Sequence, residues 1–192
     1  MKQRDRQQRD AAASKVDVLN EALPWIHRSA GKTFVIKYGG SAMENPELCR
    51  QVVADIEMLK LLGIRIVLVH GGGKAISAHV KALGLPVSFK GGLRVTDDAT
   101  MEAVREVLVG KVNQDLVWAL NEYGHNAVGI SGADGKMLKA EQIDPELGRV
   151  GRIREVDPSL IETILEDGYI PVVATVGCAP DGFYNINADV AA

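Results

Sequence analysis

Cysteine, net charge and long apolar runs are all scarce in this chain of 192 residues, and each shortage excludes a class of protein. Its two cysteines, Cys49 and Cys178, lack the spacing of a metal site and form no disulfide framework, which fits a reducing cytoplasm. The net charge of −3 offers no basic surface to nucleic acid or to an anionic membrane. No apolar run reaches membrane-spanning length, and the N-terminus lacks the apolar centre of a secretory signal. We therefore expect a cytoplasmic protein with no nucleic-acid or membrane partner.

Glycine, in contrast, is abundant. The 20 glycines punctuate a chain in which short β-branched runs alternate with amphipathic stretches. This alternation predicts an α/β fold with a largely parallel sheet, and the length suggests one domain or one large lobe.

The stretch from Ile66 to Lys74 is the centre of this pattern. A buried strand runs directly into Gly71, Gly72 and Gly73, and a helix follows. Glycine lets the backbone approach a ligand, and the free N–H groups of a helix N-terminus attract negative charge. The stretch predicts a carboxylate or phosphate site, although it matches neither the P-loop nor the dinucleotide fingerprint. The alternative is a tight strand-to-helix connection without a ligand.

Local signals predict most of the elements. Met1 to Asp10 are expected to be disordered, and Ser14 to cap an amphipathic helix. The remaining predicted elements are strands at 33–37, 64–69, 126–130 and 169–176, helices at 46–62, 74–83, 97–123 (capped by Thr96) and 158–166, a hairpin at 87–95, a second hairpin on the sheet edge formed by 137–142 and 150–156, a hairpin turn at Asp181-Gly182, and a helix that opens at Val190.

The carboxyl ends of parallel strands meet at one edge of a sheet, where ligands bind in such folds. Four segments are predicted to lie there: 37–40, 71–73, the turn at Ser131 and the loop ahead of Asn185. Their convergence indicates a binding site more strongly than any of them does alone.

Two cations are candidates for chemistry at that edge. Lys37 ends a strand beside two glycines, which suits a phosphoryl group in transfer. The alternative is a solvated lysine. Arg94 carries a guanidinium fork that binds a carboxylate in bidentate fashion. The alternative there is a surface ion pair with Asp97 or Asp98.

The polar residues after position 184 are further candidates. Asn185 suits recognition of an amide, and Asp189 suits the holding of a lysine, whereas Asn187 is interpreted as a helix cap. No partner at ligand spacing accompanies His70, so we interpret it as structural, and His125 as a residue at a helix end. Ser131 lacks the surroundings of a hydrolase nucleophile.

Six stretches, in this order, carry a family resemblance: Lys37-Tyr38-Gly39-Gly40-Ser41-Ala42-Met43, Val69-His70-Gly71-Gly72-Gly73, Gly91-Gly92-Leu93-Arg94-Val95-Thr96, Val128-Gly129-Ile130-Ser131-Gly132, Gly168-Tyr169-Ile170-Pro171-Val172-Val173 and Asn185-Ile186-Asn187-Ala188-Asp189. The chain resembles the amino acid kinase family, and most closely its members that phosphorylate N-acetyl-L-glutamate in arginine biosynthesis. The resemblance covers nearly everything from Thr33 to Ala192.

The resemblance implies a three-layer sandwich and transfer of the γ-phosphoryl of ATP to the side-chain carboxylate of N-acetyl-L-glutamate. It implies catalytic roles for Lys37, at the phosphoryl group, and for Asp189, which would organise the catalytic lysines. Gly39 and Gly40 would line the phosphate path. Substrate binding would fall to Gly72 and Gly73 at the carboxylate and phosphoryl, Arg94 at the α-carboxylate and Asn185 at the acetamido group. Mg²⁺ would accompany ATP, held mostly by its phosphates and by no dedicated protein metal site.

The resemblance also divides the chain into an N-terminal extension, residues 1–30, with an amphipathic helix, and an acetylglutamate-binding lobe, residues 31–192. In the family a nucleotide-binding lobe with a second catalytic lysine follows. We expect that lobe to be missing here and the chain alone to be inactive or a poor catalyst. A dimer is implied. The N-terminal helix resembles that of hexameric, arginine-inhibited members, although packing on its own domain is an equal alternative for this helix.

Other functions stay open at this point. An enzyme of the same family could use aspartate, carbamate or a nucleoside monophosphate as acceptor. A non-catalytic lobe that binds acetylglutamate or another small acid is an alternative of a different class. A nicotinamide enzyme is disfavoured because its glycine fingerprint is absent.

Overall fold

The computed structural model describes residues 2–43, 45–124 and 126–192, with the backbone alone for 2–12, 41 and 42; the interpretation of His125 lies outside these residues. In chain order the elements are α1 Lys2–Ser29, β1 Thr33–Tyr38, a 3₁₀ turn Gly40–Met43, α2 Pro46–Leu61, β2 Arg65–His70, α3 Gly73–Ala82, β3 Phe89–Lys90, β4 Leu93–Arg94, α4 Asp98–Arg105, a π-helical segment Glu106–Asn113, α5 Gln114–Glu122, β5 Ala127–Ser131, a 3₁₀ turn Asp134–Lys136, β6 Leu138–Gln142, a 3₁₀ turn Pro145–Leu147, β7 Val150–Val156, α6 Ser159–Glu166, β8 Ile170–Ala174, β9 Val176–Ala179, β10 Gly182–Ile186 and α7 Ala188–Ala191.

The predicted parallel sheet forms the centre of the fold. Its strand order is β1-β2-β8-β5, and every neighbouring pair is parallel. Alternate residues of β2 belong to different cores: Ile66 and Leu68 pack with α2, α3 and the helix from α4 to α5, whereas Val67 and Val69 pack with residues of α6 and β6. Burial on both faces explains the continuous β-branched run of this strand. The three-layer α/β prediction is confirmed.

Most helix ends follow the predicted chemistry, but two predicted caps, Ser14 and Thr96, do not. Asn45 caps α2, because its side-chain oxygen accepts hydrogen bonds from the N–H groups of Glu47 and Leu48 at 2.9 and 3.3 Å. The predicted cap Thr96 is wrong. Asp97 caps α4 instead and accepts from the N–H of Thr100 at 2.7 Å. Hydrogen bonding from the Thr100 side chain, and then from this N–H, lowers the pKa of Asp97. Thr96 is therefore available for a different contact, described with the site.

The second hairpin is not on the edge of the central sheet. β6 and β7 pair in antiparallel fashion, as predicted, but they close a small four-stranded barrel with β9 and β10. The predicted strand 169–176 breaks at Thr175, where the chain leaves the sheet for this barrel. The turn at Asp181-Gly182 joins β9 to β10, as predicted. Pairing between strands distant in sequence decides this part of the fold, and local patterns do not reveal it.

The N-terminal helix differs from the expectation of a disordered start. α1 begins at Lys2, so Ser14 lies inside it and caps nothing, and the helix continues through Pro24. The described part of the chain leaves most of the apolar stripe of α1 uncovered. Val16, Leu19, Leu23 and Trp25 are all more than half exposed. Among the described residues no helix is both long enough and apolar enough to cross a bilayer.

A buried polar pair ties the long helix to the sheet. His70, at the end of β2, and Asn113, at the end of the π-helical segment, are 0% and 1% exposed. The Asn113 amide nitrogen, Nδ2, lies 3.0 Å from Nε2 of His70 and 2.8 Å from the carbonyl oxygen of Val172 in β8. Burial lowers the pKa of His70, so its ring is neutral in the folded state.

This neutral ring predicts a pH dependence of stability. Below the ordinary histidine pKa of about 6.5 the unfolded chain binds a proton that the folded chain does not, so stability falls as pH drops from there, by at most ~1.4 kcal/mol per pH unit. Urea unfolding between pH 7.5 and 5 measures this loss. His70→Gln should flatten the slope, whereas His79→Gln, which changes a more exposed ring beside Glu106, should preserve it. An equal slope in all three proteins would contradict the assignment to His70.

Candidate active site

All eight predicted site residues line one pocket of about 270 Å³. It lies at the carboxyl ends of β1 and β2, between these strands, the β3-β4 hairpin and the segment from β10 to α7. The predicted residues in its wall are Lys37, Gly39, Gly40, Gly72, Gly73, Arg94, Asn185 and Asp189. The expected convergence is therefore seen for three of the four predicted segments, and the exception is the turn at Ser131.

Lys37 and Asp189 meet in this pocket. The Lys37 ammonium lies 2.9 Å from a carboxylate oxygen of Asp189. Asp189 stands in the first turn of α7, where its N–H donates to the Asn187 side chain, which caps the helix as predicted. Lys37 follows the surface of Gly39, since a Cβ there would lie 3.4 Å from its Cε. The pair is partly exposed, so it positions the ammonium more than it stabilises the fold.

The carbonyl groups of the triple glycine accept hydrogen bonds from within the protein, which leaves N–H groups of this turn for a ligand. The Gly71 carbonyl lies 3.0 Å from Nδ1 of His70, and the Gly72 carbonyl accepts the first bond of α3 from Ile76 at 2.9 Å. The Gly73 carbonyl accepts from Arg94 at 2.7 Å. In the described part of the chain, the N–H groups of Gly72 and Gly73 have no hydrogen-bond partner. Two adjacent unpaired donors at the start of a helix are a site for an anion.

Gly72 is the glycine that close packing requires. A Cβ at this position would lie 2.8 Å from Leu108 and 3.3 Å from Val112, both in the π-helical segment, whereas a Cβ at Gly73 would meet nothing within 4 Å. We expect Gly72→Ala to destabilise the chain by about 1–2 kcal/mol, since a methyl group forced into a packed contact strains its neighbours. Denaturant unfolding measures this, with Gly73→Ala as the matched control. Equal stability of the two variants would contradict the packing argument.

Arg94 is a buried cation without a carboxylate. Arg94 is only 7% exposed. One terminal nitrogen of its guanidinium, Nη2, donates to the carbonyl of Gly73 and to the hydroxyl of Ser77, both at 2.7 Å. The guanidinium carbon lies 4.8 Å from the centre of the Phe89 ring. The other terminal nitrogen, Nη1, is buried and has no hydrogen-bond partner in the described part of the chain.

The surface ion pair considered for Arg94 does not form. Asp97 caps α4, and Asp98 pairs with Arg149 at 2.7 Å. Burial lowers the pKa of Arg94, although a guanidinium still keeps its charge at neutral pH. A buried cation with an unused donor is costly unless an anion binds it, and a ligand carboxylate would meet that need.

Two residues to which the sequence assigned no part in the site hold the predicted ones in place. Thr96, 0% exposed, donates its hydroxyl hydrogen to the carbonyl of Arg94 at 2.8 Å and accepts from the Asn185 amide at 3.3 Å. Ser77 accepts from Arg94 and donates to the Gly73 carbonyl at 2.9 Å. The position of Ser77, four residues after Gly73 on one helix face, was a usable signal; the bridge through Thr96 depends on strands far apart in sequence.

The Ser131 turn does not reach this pocket. The N–H and hydroxyl of Ser131 both donate to the Asp134 carboxylate, at 2.7 and 3.2 Å, and Ser131 lines a separate cavity beside Phe183. A larger cavity of about 640 Å³ adjoins the site and shares Gly72, Gly73 and Arg94 with it. It extends between α2 and α5 and includes none of the other predicted polar residues.

The donors in the pocket suit phosphate groups and do not form a metal cage. Backbone N–H groups and the Lys37 ammonium match phosphate oxygens. Among residues 2–43, 45–124 and 126–192, no cluster of three or more His, Cys, Asp or Glu side chains could hold a metal ion. The donors that line this pocket therefore fit phosphate groups.

Known proteins resemble this chain both in sequence and in structure. An acetylglutamate kinase of Brachyspira hyodysenteriae is 51% identical over 181 residues, which are 93% of this chain and 63% of the relative. The crystal structure of smu.665 from Streptococcus mutans UA159 superposes with a TM-score of 0.77 at 30% identity, covering 84% of this chain and 66% of that one. An N-acetylglutamate synthase of Neisseria gonorrhoeae, complexed with coenzyme A and N-acetyl-glutamate, gives a TM-score of 0.75 at 28% identity, covering 90% of this chain and 40% of that one.

The chain spans between 52% and 63% of the length of the first curated relatives that it matches. The model of the amino acid kinase family matches residues 32–192, which is most of the chain and the whole of the region that builds the pocket. This match, together with the parallel sheet and the relatives of about 50% sequence identity, shows that the chain belongs to the amino acid kinase family.

Proposed function

We propose that this chain is the acceptor-binding lobe of an acetylglutamate kinase, an ATP-dependent phosphotransferase of arginine biosynthesis. The observation that carries the proposal is one pocket with three complementary features. It holds a buried arginine with an unused donor, two unpaired backbone N–H groups, and a lysine fixed by an aspartate. A dicarboxylate acceptor supplies the negative charge that the arginine and the N–H groups lack, and a phosphoryl group supplies charge for the lysine that the aspartate holds in position.

Each residue has a separate part in the proposed reaction. Arg94 binds the α-carboxylate, and Asn185, fixed by Thr96, binds the acetamido group. The Gly72 and Gly73 N–H groups hold the side-chain carboxylate in line for attack. Lys37, held by Asp189, stabilises charge on the transferring phosphoryl, while Gly39 and Gly40 line the phosphate path. When bound, ATP with Mg²⁺ supplies the γ-phosphoryl group, which leaves ADP as the new oxygen–phosphorus bond forms.

The names of the relatives support this acceptor. The curated relatives of about 50% sequence identity are acetylglutamate kinases. The Neisseria gonorrhoeae synthase was solved in a complex with N-acetyl-glutamate. A family member with another acceptor is the competing function. Aspartate and carbamate have no N-acyl group for Asn185 to recognise.

Calorimetric titration of the purified chain distinguishes these functions. We expect N-acetyl-L-glutamate to bind and to outcompete L-glutamate, L-aspartate and carbamate, because only the acylated acid uses both Arg94 and Asn185. Binding of aspartate or carbamate in preference to it would overturn the proposed acceptor. No binding of any of the four by a chain that circular dichroism shows to be folded would overturn the proposed acceptor-binding role of this chain.

Turnover is a separate question from binding. With ATP and Mg²⁺ present, we expect the chain alone to form acyl phosphate, trapped with hydroxylamine, slowly or not at all. The pocket contains one lysine, Lys37, among the residues that line it, whereas the family resemblance implies a second. Steady-state turnover at an ordinary kinase rate of about 1–100 s⁻¹ would contradict this expectation.

We further propose that the protein works in the cytoplasm as a self-associating molecule, a dimer or a hexamer joined through α1. The two cysteines are free, as in reducing compartments. The exposed stripe of α1 offers a second copy of the same helix an apolar face.

Self-association through α1 has a direct test. The double variant Leu19→Glu, Leu23→Glu places two charges in the exposed stripe. It should lower the number of subunits in the assembly, because burial of unpaired carboxylates opposes association. Analytical ultracentrifugation measures the mass. Asp17→Lys with Glu21→Lys, on the same helix, changes charge on the face away from Val16, Leu19 and Leu23 and is the control. An unchanged mass in the double variant would place any interface elsewhere.

A further inference from the structure

The orientation of the glycine turn depends on a residue behind it. Every peptide bond in the described chain is trans, so the carbonyl of Gly71 and the N–H of Gly72 point in opposite directions. The Gly71 carbonyl faces Nδ1 of the buried His70 ring at 3.0 Å. A contact that draws this carbonyl into the protein therefore turns the Gly72 N–H outward.

The tautomer of His70 follows from its other neighbour. The nitrogen of the Asn113 amide faces the carbonyl oxygens of Val172 at 2.8 Å and Ile130 at 3.4 Å, so this end of the amide is the donor. It also lies 3.0 Å from Nε2 of His70, which must then accept. The ring proton is left on Nδ1, where it donates to the Gly71 carbonyl.

Asn113 is itself held firmly. A Cβ at Gly129 in β5 would collide with the Asn113 side-chain oxygen, so the amide fills the space beside this glycine. Asn113 ends the π-helical segment, and Leu108 and Val112 of the same segment pack against Gly72. A π-helical insertion in an α-helix often marks a functional site, because it re-aims the side chains around it.

We propose that His70, set by Asn113, is a positioning residue that fixes the Gly71–Gly72 peptide and aims the Gly72 N–H at the bound carboxylate. His70 is fully buried and is not among the residues that line the pocket. It acts through the Gly71–Gly72 peptide, as a residue behind a binding site orients the group that contacts the ligand. The identity of the carboxylate rests on the proposed function, whereas the tautomer and the peptide orientation do not.

Two substitutions separate the contacts of His70. The side-chain amide nitrogen of Asn can reach the position of Nδ1, so His70→Asn retains a donor for Gly71 but loses Asn113. The Gln amide can reach the position of Nε2, so His70→Gln retains an acceptor for Asn113 but loses Gly71. We expect His70→Asn to bind N-acetyl-L-glutamate within about threefold of the parent despite lower stability. His70→Gln should bind at least tenfold more weakly while its stability at pH 7.5 stays near that of the parent.

Nuclear magnetic resonance supplies a readout that needs no ligand. The ring nitrogens of the parent should report the Nδ1–H tautomer, and the amide resonance of Gly72 should move in His70→Gln and stay near its parent position in His70→Asn. An Nε2–H tautomer, or a Gly72 amide that is the same in all three proteins, would overturn the proposal. If the parent binds no N-acetyl-L-glutamate, the proposed acceptor role fails, and the tautomer and amide shifts still decide the role of His70.

Discussion

Arg94→Ala is expected to weaken binding of N-acetyl-L-glutamate by about 30- to 100-fold, or roughly 2–3 kcal/mol, which is the range for hydrogen bonds to charged groups. The reason is the state of the guanidinium in the structure. It is buried, it is paired with no carboxylate among the described residues, and its Nη1 has no hydrogen-bond partner. A ligand carboxylate that takes this donor therefore removes an existing cost as well as adding an attraction. Calorimetry with the folded variant measures the loss.

Two further variants separate charge and packing from geometry. Arg94→Lys keeps a cation but not the planar fork, so we expect it to recover only part of the lost affinity. Arg105→Ala is the matched control, because Arg105 also stacks on an aromatic ring, 3.9 Å from the centre of Phe183, but lies outside the pocket. Its affinity should equal that of the parent. Full affinity in Arg94→Ala would show that the acceptor's carboxylate binds elsewhere.

The residues predicted for the site each carry a local signal in the sequence. A lysine at the end of a β-branched strand, glycines directly after a strand, and an Asn or Asp before a helix are visible within a few residues of sequence. Parallel topology then gathers such positions at one sheet edge whatever their separation in the chain. Lys37, Gly72, Arg94 and Asn185 meet in one pocket for this reason.

Thr96 and Asn113, which support the site, carry no such signal. Thr96 resembles a helix cap in sequence, and the choice between it and Asp97 depends on which backbone N–H groups each side chain reaches. Asn113 resembles any polar residue of a long amphipathic helix. Its burial follows from the π-helical segment and from Gly129, which lies on a strand later in the chain. The four-stranded barrel was missed for the same reason, since its strand pairs are set by contacts between distant segments.

Asn113→Leu tests how much of the fold depends on this hidden contact. We expect a loss of about 3 kcal/mol in the free energy of unfolding, or roughly 8 °C in melting temperature. Leucine has a similar volume but donates nothing, so Nε2 of the fully buried His70 is left without a partner.

Asn121→Leu, on α5 of the same long helix, is the matched control. Asn121 pairs with the backbone of Ala127 at a more exposed position, so its replacement should cost about 1 kcal/mol or less. Thermal and urea unfolding measure both variants at pH 7.5, where His70 is neutral in the folded and unfolded chain. Equal losses in the two variants would mean that the buried pair adds nothing beyond an ordinary surface contact, and that the long helix is joined to the sheet by apolar packing alone.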